Sequence, residues 1–200
     1  DSPQGEAAVA KECFTVAFDL ASAARTAAAG STSGRAQAVR DVLSRALFEL
    51  ELAAAEFGWE GEEAMDVVQA HVLAAAQHLD AVPDRTCYFA SVLYNLGLHS
   101  YHQGHTAEAV SWLRRSIQTR TAMGDDRLDK KKQSKTARLA AVCLISTEAY
   151  EEAMDFLRVA ESLAHDCAGA YLLLKVAIVT GQQDVSVLLA AALEDESVPL

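Results

Sequence analysis

The feature that most constrains this chain is one pattern that comes three times in its second half. The first copy reads Leu93-Tyr94-Asn95-Leu96-Gly97, then Tyr101, Gly104-His105-Thr106-Ala107-Glu108-Ala109, Trp112-Leu113 and Ser116-Ile117. The second reads Ala137-Arg138-Leu139-Ala140-Ala141, then Ala149-Tyr150-Glu151-Glu152-Ala153, Phe156-Leu157 and Ala160. The third reads Ala170-Tyr171-Leu172-Leu173-Leu174, then Gly181, Ser186, Ala190 and Leu193. Each copy carries apolar residues at helical spacing on both sides of a short break, the mark of two helices joined by a tight turn. Turns this short force the two helices to run antiparallel.

Aligned on the small residue early in each second helix, Ala109, Ala153 and Ser186, the copies are separated by 44 and 33 residues. A tetratricopeptide (TPR) repeat has a period of about 34 residues, so the first interval is one period plus about ten. The surplus falls on the charged run Gly124–Gln133, which has no apolar period and reads as an exposed loop. The register assigns Leu96, Gly97, Ala109, Trp112, Leu113, Ala140, Tyr150, Ala153, Leu157 and Ala160 to packing between helices, with Ser116 and Ala160 at the second small site. Only Leu96-Gly97 keeps the Leu-Gly pair of such repeats, and the usual aromatic is replaced by Leu93, Ala137 and Ala170.

The rest of the chain supports an all-α class. Of 200 residues, 39 are alanine and only 3 are proline, and alanine keeps helices stable and lets them approach closely. The first half reads as helices over Glu6–Ala29, Arg35–Phe57 and Glu60–Leu79, broken at Gly30–Gly34 and by Gly58, with Asp84 placed to cap the helix after Pro83. The expected architecture is a TPR-like helical-hairpin solenoid of about nine helices, a right-handed superhelix. Its parts are a divergent helical lead-in of degenerate repeats over 1–83, a repeat over 84–123, a charged loop over 124–134, a repeat over 135–166 and a degenerate repeat over 167–196.

Val92–Ala164 carries a narrower likeness. Tyr94-Asn95-Leu96-Gly97 with Tyr101, then Ala107-Glu108-Ala109-Val110 leading into Ser111-Trp112-Leu113, then Lys135-Thr136-Ala137-Arg138-Leu139-Ala140-Ala141-Val142-Cys143-Leu144, resembles the meiosis-specific TPR proteins of the sporulation twenty-two and zipper-four type. Testis-expressed protein eleven is the animal member. The family's Arg-Leu-Leu-Ala helix reads Arg138-Leu139-Ala140-Ala141 here, one departure. The resemblance implies a non-enzymatic scaffold on meiotic chromosomes, in the nucleus, that bridges crossover-promoting and synaptonemal-complex factors through its repeat surfaces. It also implies that this chain is a piece of a much longer array. The competing expectation is a general TPR adaptor, a chaperone or trafficking cofactor in the cytoplasm.

Composition and motifs bound the chemistry. The chain has a net charge of -11, with -8 in residues 1–100 and +6 in residues 114–138. An acidic whole argues against general nucleic-acid binding. Nothing reaches the roughly 20 apolar residues of a bilayer span: Ala168–Thr180 is interrupted by Lys175. There is no phosphate-binding loop, dinucleotide fingerprint or zinc-protease motif, so no enzyme, cofactor or small-molecule substrate is expected. His99, His102 and His105, like His71 and His78, read as surface or groove histidines rather than metal ligands. The separated cysteines Cys13, Cys87, Cys143 and Cys167 read as buried, reduced thiols of a cytosolic or nuclear protein.

Two surfaces are candidates for partner binding. First helices line a TPR groove, and here that face carries Tyr94, Leu98, Tyr101, His102, Lys135, Arg138, Val142, Tyr171, Lys175 and Ile178. A mixed aromatic and basic face suits an acidic or amphipathic segment, though the same residues fit ordinary solvent or inter-repeat contacts. Lys130, Lys131 and Lys132 fit a solvated loop, a nuclear import signal or an anionic docking patch. No aromatic interleaves them to stack on bases, which argues against direct DNA contact.

Overall fold

A computed structural model describes residues 13, 15–26, 34–60, 64–122, 129–164 and 167–181. Among these, the chain forms eight α-helices and no strand, packed as successive hairpins. The chain divides into two compact units, Asp1–Arg85 and Thr86–Leu200. The second helix of the third copy, with Ser186, Ala190 and Leu193, and the break at Gly30–Ser33 lie outside the described residues.

The first unit holds α1 (residues 15–26), α2 (Gly34–Glu60), α3 (Met65–Ala76) and two 3-10 turns, Leu79–Ala81 and Pro83–Arg85. The hairpin of α2 and α3 buries Phe48, Leu52, Ala55, Val68, Val72 and Ala75. Gly58 does not end α2. It is buried within the helix, whose core contacts outweigh the roughly 1 kcal/mol that glycine costs there. The Asp84 carboxylate pairs with Arg45 at 3.1 Å. His71 Nδ1 donates to the Glu51 carboxylate at 2.7 Å, and its ring stacks on Phe18. His78 is buried beside Arg25, 3.2 Å away, and burial first and the guanidinium second hold its pKa below the usual histidine value.

The second unit holds α4 (Thr86–His102), α5 (Thr106–Thr121), α6 (Lys130–Ser146), α7 (Tyr150–Leu163) and α8 (Cys167–Thr180). α4 packs on α5, α5 on α6, α6 on α7 and α7 on α8, while α4 also touches α6 and α6 touches α8. The first helices of successive hairpins therefore lie side by side. Ala109, Ala140, Ala141, Ala153 and Ala177 are fully buried with Leu113 and Leu157, so the alanines mark where helices press together. Ser116 is buried among them, and its hydroxyl donates to the Ala90 carbonyl at 2.6 Å, spanning α5 to α4.

Two expectations are corrected here. The charged loop over 124–134 ends early, because α6 begins at Lys130, with Asp129 at its N-cap accepting from the Lys132 amide at 3.0 Å. A capping aspartate supplies the start signal that the lysine run hid. That hydrogen bond is also the main reason the Asp129 carboxyl titrates below its ordinary range. Burial of Gln133, Ser134, Thr136 and Ala137 then ties the early turns of α6 to the core. The cysteines differ too: all four are free, but only Cys143 is buried, while Cys13, Cys87 and Cys167 are exposed. Burial pushes the Cys143 thiol up to about 11.

Candidate protein-docking site

The register residues set the frame of the site. Gly97 faces α5 so closely that a Cβ there would lie 2.7 Å from Leu113 Cγ and 3.2 Å from the Ala109 carbonyl oxygen. Leu96, Ala109, Leu113, Ala140, Ala153, Leu157 and Ala160 are buried, and Tyr150 is half-buried. Trp112 is buried between helices, donates from Nε1 to Glu108 at 3.3 Å and lies under Arg115. Arg114 on α5 pairs with Glu152 on α7. These contacts seat α4 on α5 and link α5 to α7.

On that frame, the structure gathers part of the expected groove face. Tyr94 on α4 and Lys135 on α6 meet, with the Lys135 ammonium 5.9 Å from the ring centroid, a cation–π distance. Both line a cleft of about 200 Å³ with Ser91, Arg120, Lys132 and Thr136, whose wall is mostly apolar. Leu98, Tyr101, Arg138 and Val142 are half-buried nearby in sequence, and the Tyr101 ring lies 5.7 Å from that of exposed His102. Tyr171, Lys175 and Ile178 are exposed on α8, outside the cleft. Lys130 and Lys131 are exposed on the first turn of α6. His105 sits at the N-cap of α5, 3.6 Å from Glu108, rather than in a row with His99 and His102.

The residue missed in the sequence is Arg120. It counted only as one cation of a basic stretch, yet it is 4% exposed. Its position carries a signal: Ala109, Leu113, Ser116 and Arg120 share the buried face of α5 at helical spacing. Its Nη2 donates to the Ser91 hydroxyl at 3.1 Å, and its Nε has no partner among the described residues. Gln133 likewise donates to Thr121 at 2.9 Å and keeps a buried, unpartnered Oε1. A buried guanidinium that among the described residues donates to one hydroxyl, beside an exposed ammonium on an aromatic ring, can take an anionic group. Among the described residues no cluster of histidine, cysteine and carboxylate could hold a metal ion. No helix of the described residues is long and apolar enough to cross a membrane.

The family described as "Meiosis protein SPO22/ZIP4 like" matches residues 63–194, about two-thirds of the chain. No curated protein matches. Among solved structures, the chain is similar to one reported as "Functional Characterization of Pseudomonas Aeruginosa pilF", at 19% identity, covering 97% of this chain and 87% of that one, with a TM-score of 0.45.

Proposed function

The chain belongs to the SPO22/ZIP4-like family of meiosis proteins, and on that premise we propose that it is a non-enzymatic scaffold for crossover formation and synaptonemal-complex assembly. The family match over residues 63–194 carries this reading. The architecture supports it physically. Successive hairpins with their first helices side by side make a continuous surface on which segments of other proteins can dock. The mechanism is reversible docking, with no bond made or broken. Such a scaffold acts in the nucleus, on chromosomes, and its partners are the proteins that promote crossovers and build the synaptonemal complex. The exposed Lys130 and Lys131 suit an import signal or an anionic contact at the start of α6.

The test is genetic. Disruption of the gene is expected to lower crossover number and leave chromosomes incompletely synapsed in meiotic spreads. Normal crossover number and full synapsis would overturn the reading in favour of a general adaptor.

A further inference from the structure

We propose that the cleft between α4 and α6 binds a carboxylate-bearing segment of a partner protein, with Arg120 and Lys135 receiving the carboxylate and the apolar wall receiving a neighbouring side chain. This rests on the scaffold reading and names the chemistry of what docks there.

Arg120 is the first ground. A buried cation is stable only when paired and hydrogen-bonded, because its transfer from water is costly. A guanidinium has five N–H donors, and Arg120 spends one on Ser91 while Nε stays buried and, among the described residues, unpartnered. The acid that feels its charge, Asp129, is committed elsewhere: Oδ1 accepts from the Lys132 amide and Oδ2 lies 3.1 Å from the Lys132 ammonium. Among the described residues no carboxylate comes within ion-pair distance of Arg120 or Lys135.

Lys135 is the second ground. Its ammonium is exposed and oriented by the Tyr94 ring, so it reaches the mouth of the same cleft without being consumed by a salt bridge. Size and polarity define the rest of the ligand. The volume of about 200 Å³ is that of several water molecules, enough for a side chain and too small for a helix. The mostly apolar wall rewards an aliphatic or aromatic neighbour, while the fork of Arg120 suits the two oxygens of a carboxylate. An acidic, amphipathic protein segment meets all three conditions.

Fluorescence anisotropy of the purified full chain with labelled short peptides tests the assignment. The probes are a peptide alternating leucine and glutamate, its glutamine counterpart and its phosphoserine counterpart. The glutamate peptide is expected to bind, with the glutamine peptide about tenfold weaker and the difference shrinking at high salt. Lys135→Glu, at an exposed position, should weaken the glutamate peptide about tenfold with helicity and melting unchanged, and Arg158→Glu on α7 should leave it unaltered. Arg120→Gln should weaken binding at least as much, read only if the variant keeps its circular dichroism. Equal binding of the glutamate and glutamine peptides, or no effect of Lys135→Glu, would overturn the proposal. So would a clear preference for phosphoserine, which would assign the cleft to a phosphorylated segment. Binding that emerges only in Asp125→Asn/Asp126→Asn would overturn it as well, by giving the cleft to the chain's own acidic pair. The peptides report nothing about meiosis, so their failure leaves the genetic test of the scaffold standing.

Discussion

Gly97 sets how closely α4 and α5 approach. A methyl group there would meet Leu113 Cγ at 2.7 Å, Cδ2 at 2.9 Å and the Ala109 carbonyl oxygen at 3.2 Å. Alanine would gain about 1 kcal/mol of helix propensity over glycine, while overpacking costs about 1–3 kcal/mol. Two contacts fall on a branch point and a backbone atom, neither of which swings aside alone, so the packing cost wins. Gly97→Ala is therefore expected to lower the melting temperature followed by circular dichroism; a rise would mean that α4 and α5 separate freely. Gly97 and Ala109 were legible in the sequence because a small residue at repeat spacing has one use, close approach. Arg120 was not. An arginine reads as a surface cation unless its neighbours at Leu113 and Ser116 show which face of α5 it shares. The cysteines failed for a related reason. An apolar stretch does not say which of its residues face inward, and of the four only Cys143 reaches the core.

At the scale of helices, the same device ends α4 and α6. The His105 amide reaches back to the Ser100 carbonyl at 2.9 Å and the Gly104 amide to Tyr101 at 3.0 Å, while Ala149 reaches Leu144 at 2.9 Å and Glu148 reaches Ile145 at 3.2 Å. Both are Schellman closures, which need a left-handed residue just past the helix. Gly104 takes that role with φ of 80°, Glu148 with φ of 60°, and Gly181 has φ of 66° after α8. These three positions are 44 and 33 residues apart, the intervals of the packing register. Glu148 bears the strain of a side chain in that conformation, on the order of 1 kcal/mol. Glu148→Gly should therefore raise the unfolding midpoint in urea, and a lowered midpoint would show that the glutamate side chain supports the turn. Gly104 and Gly181 announce their turns in the sequence; Glu148 does not, because no glutamate advertises a left-handed backbone. The start of α6 was hidden in the opposite way. Three lysines drew the reading toward a loop, although Asp129 was in place to begin a helix.

For the molecule as a whole, the paired helices of the second half were legible because short turns leave an antiparallel hairpin as the only outcome. The first half shows no copy of the pattern as clear as these, and its break at Gly58 was misread because α2 buries that glycine and runs on to Glu60. The second unit, Thr86–Leu200, has its own buried core of alanines and leucines. Residues 86–200 expressed alone are expected to be helical and to melt cooperatively, and a gradual, featureless melt would show that the core is incomplete without the preceding residues. The packing order within that unit has a kinetic consequence. Its principal helix contacts join sequence neighbours or next neighbours, so no distant ends have to find each other before contacts begin to form. Chains of low contact order fold quickly, and arrays held by nearest-neighbour interfaces can begin at any hairpin and grow outward. A nascent chain of this kind can start to acquire structure as soon as one hairpin clears the ribosome, before the rest has been synthesised.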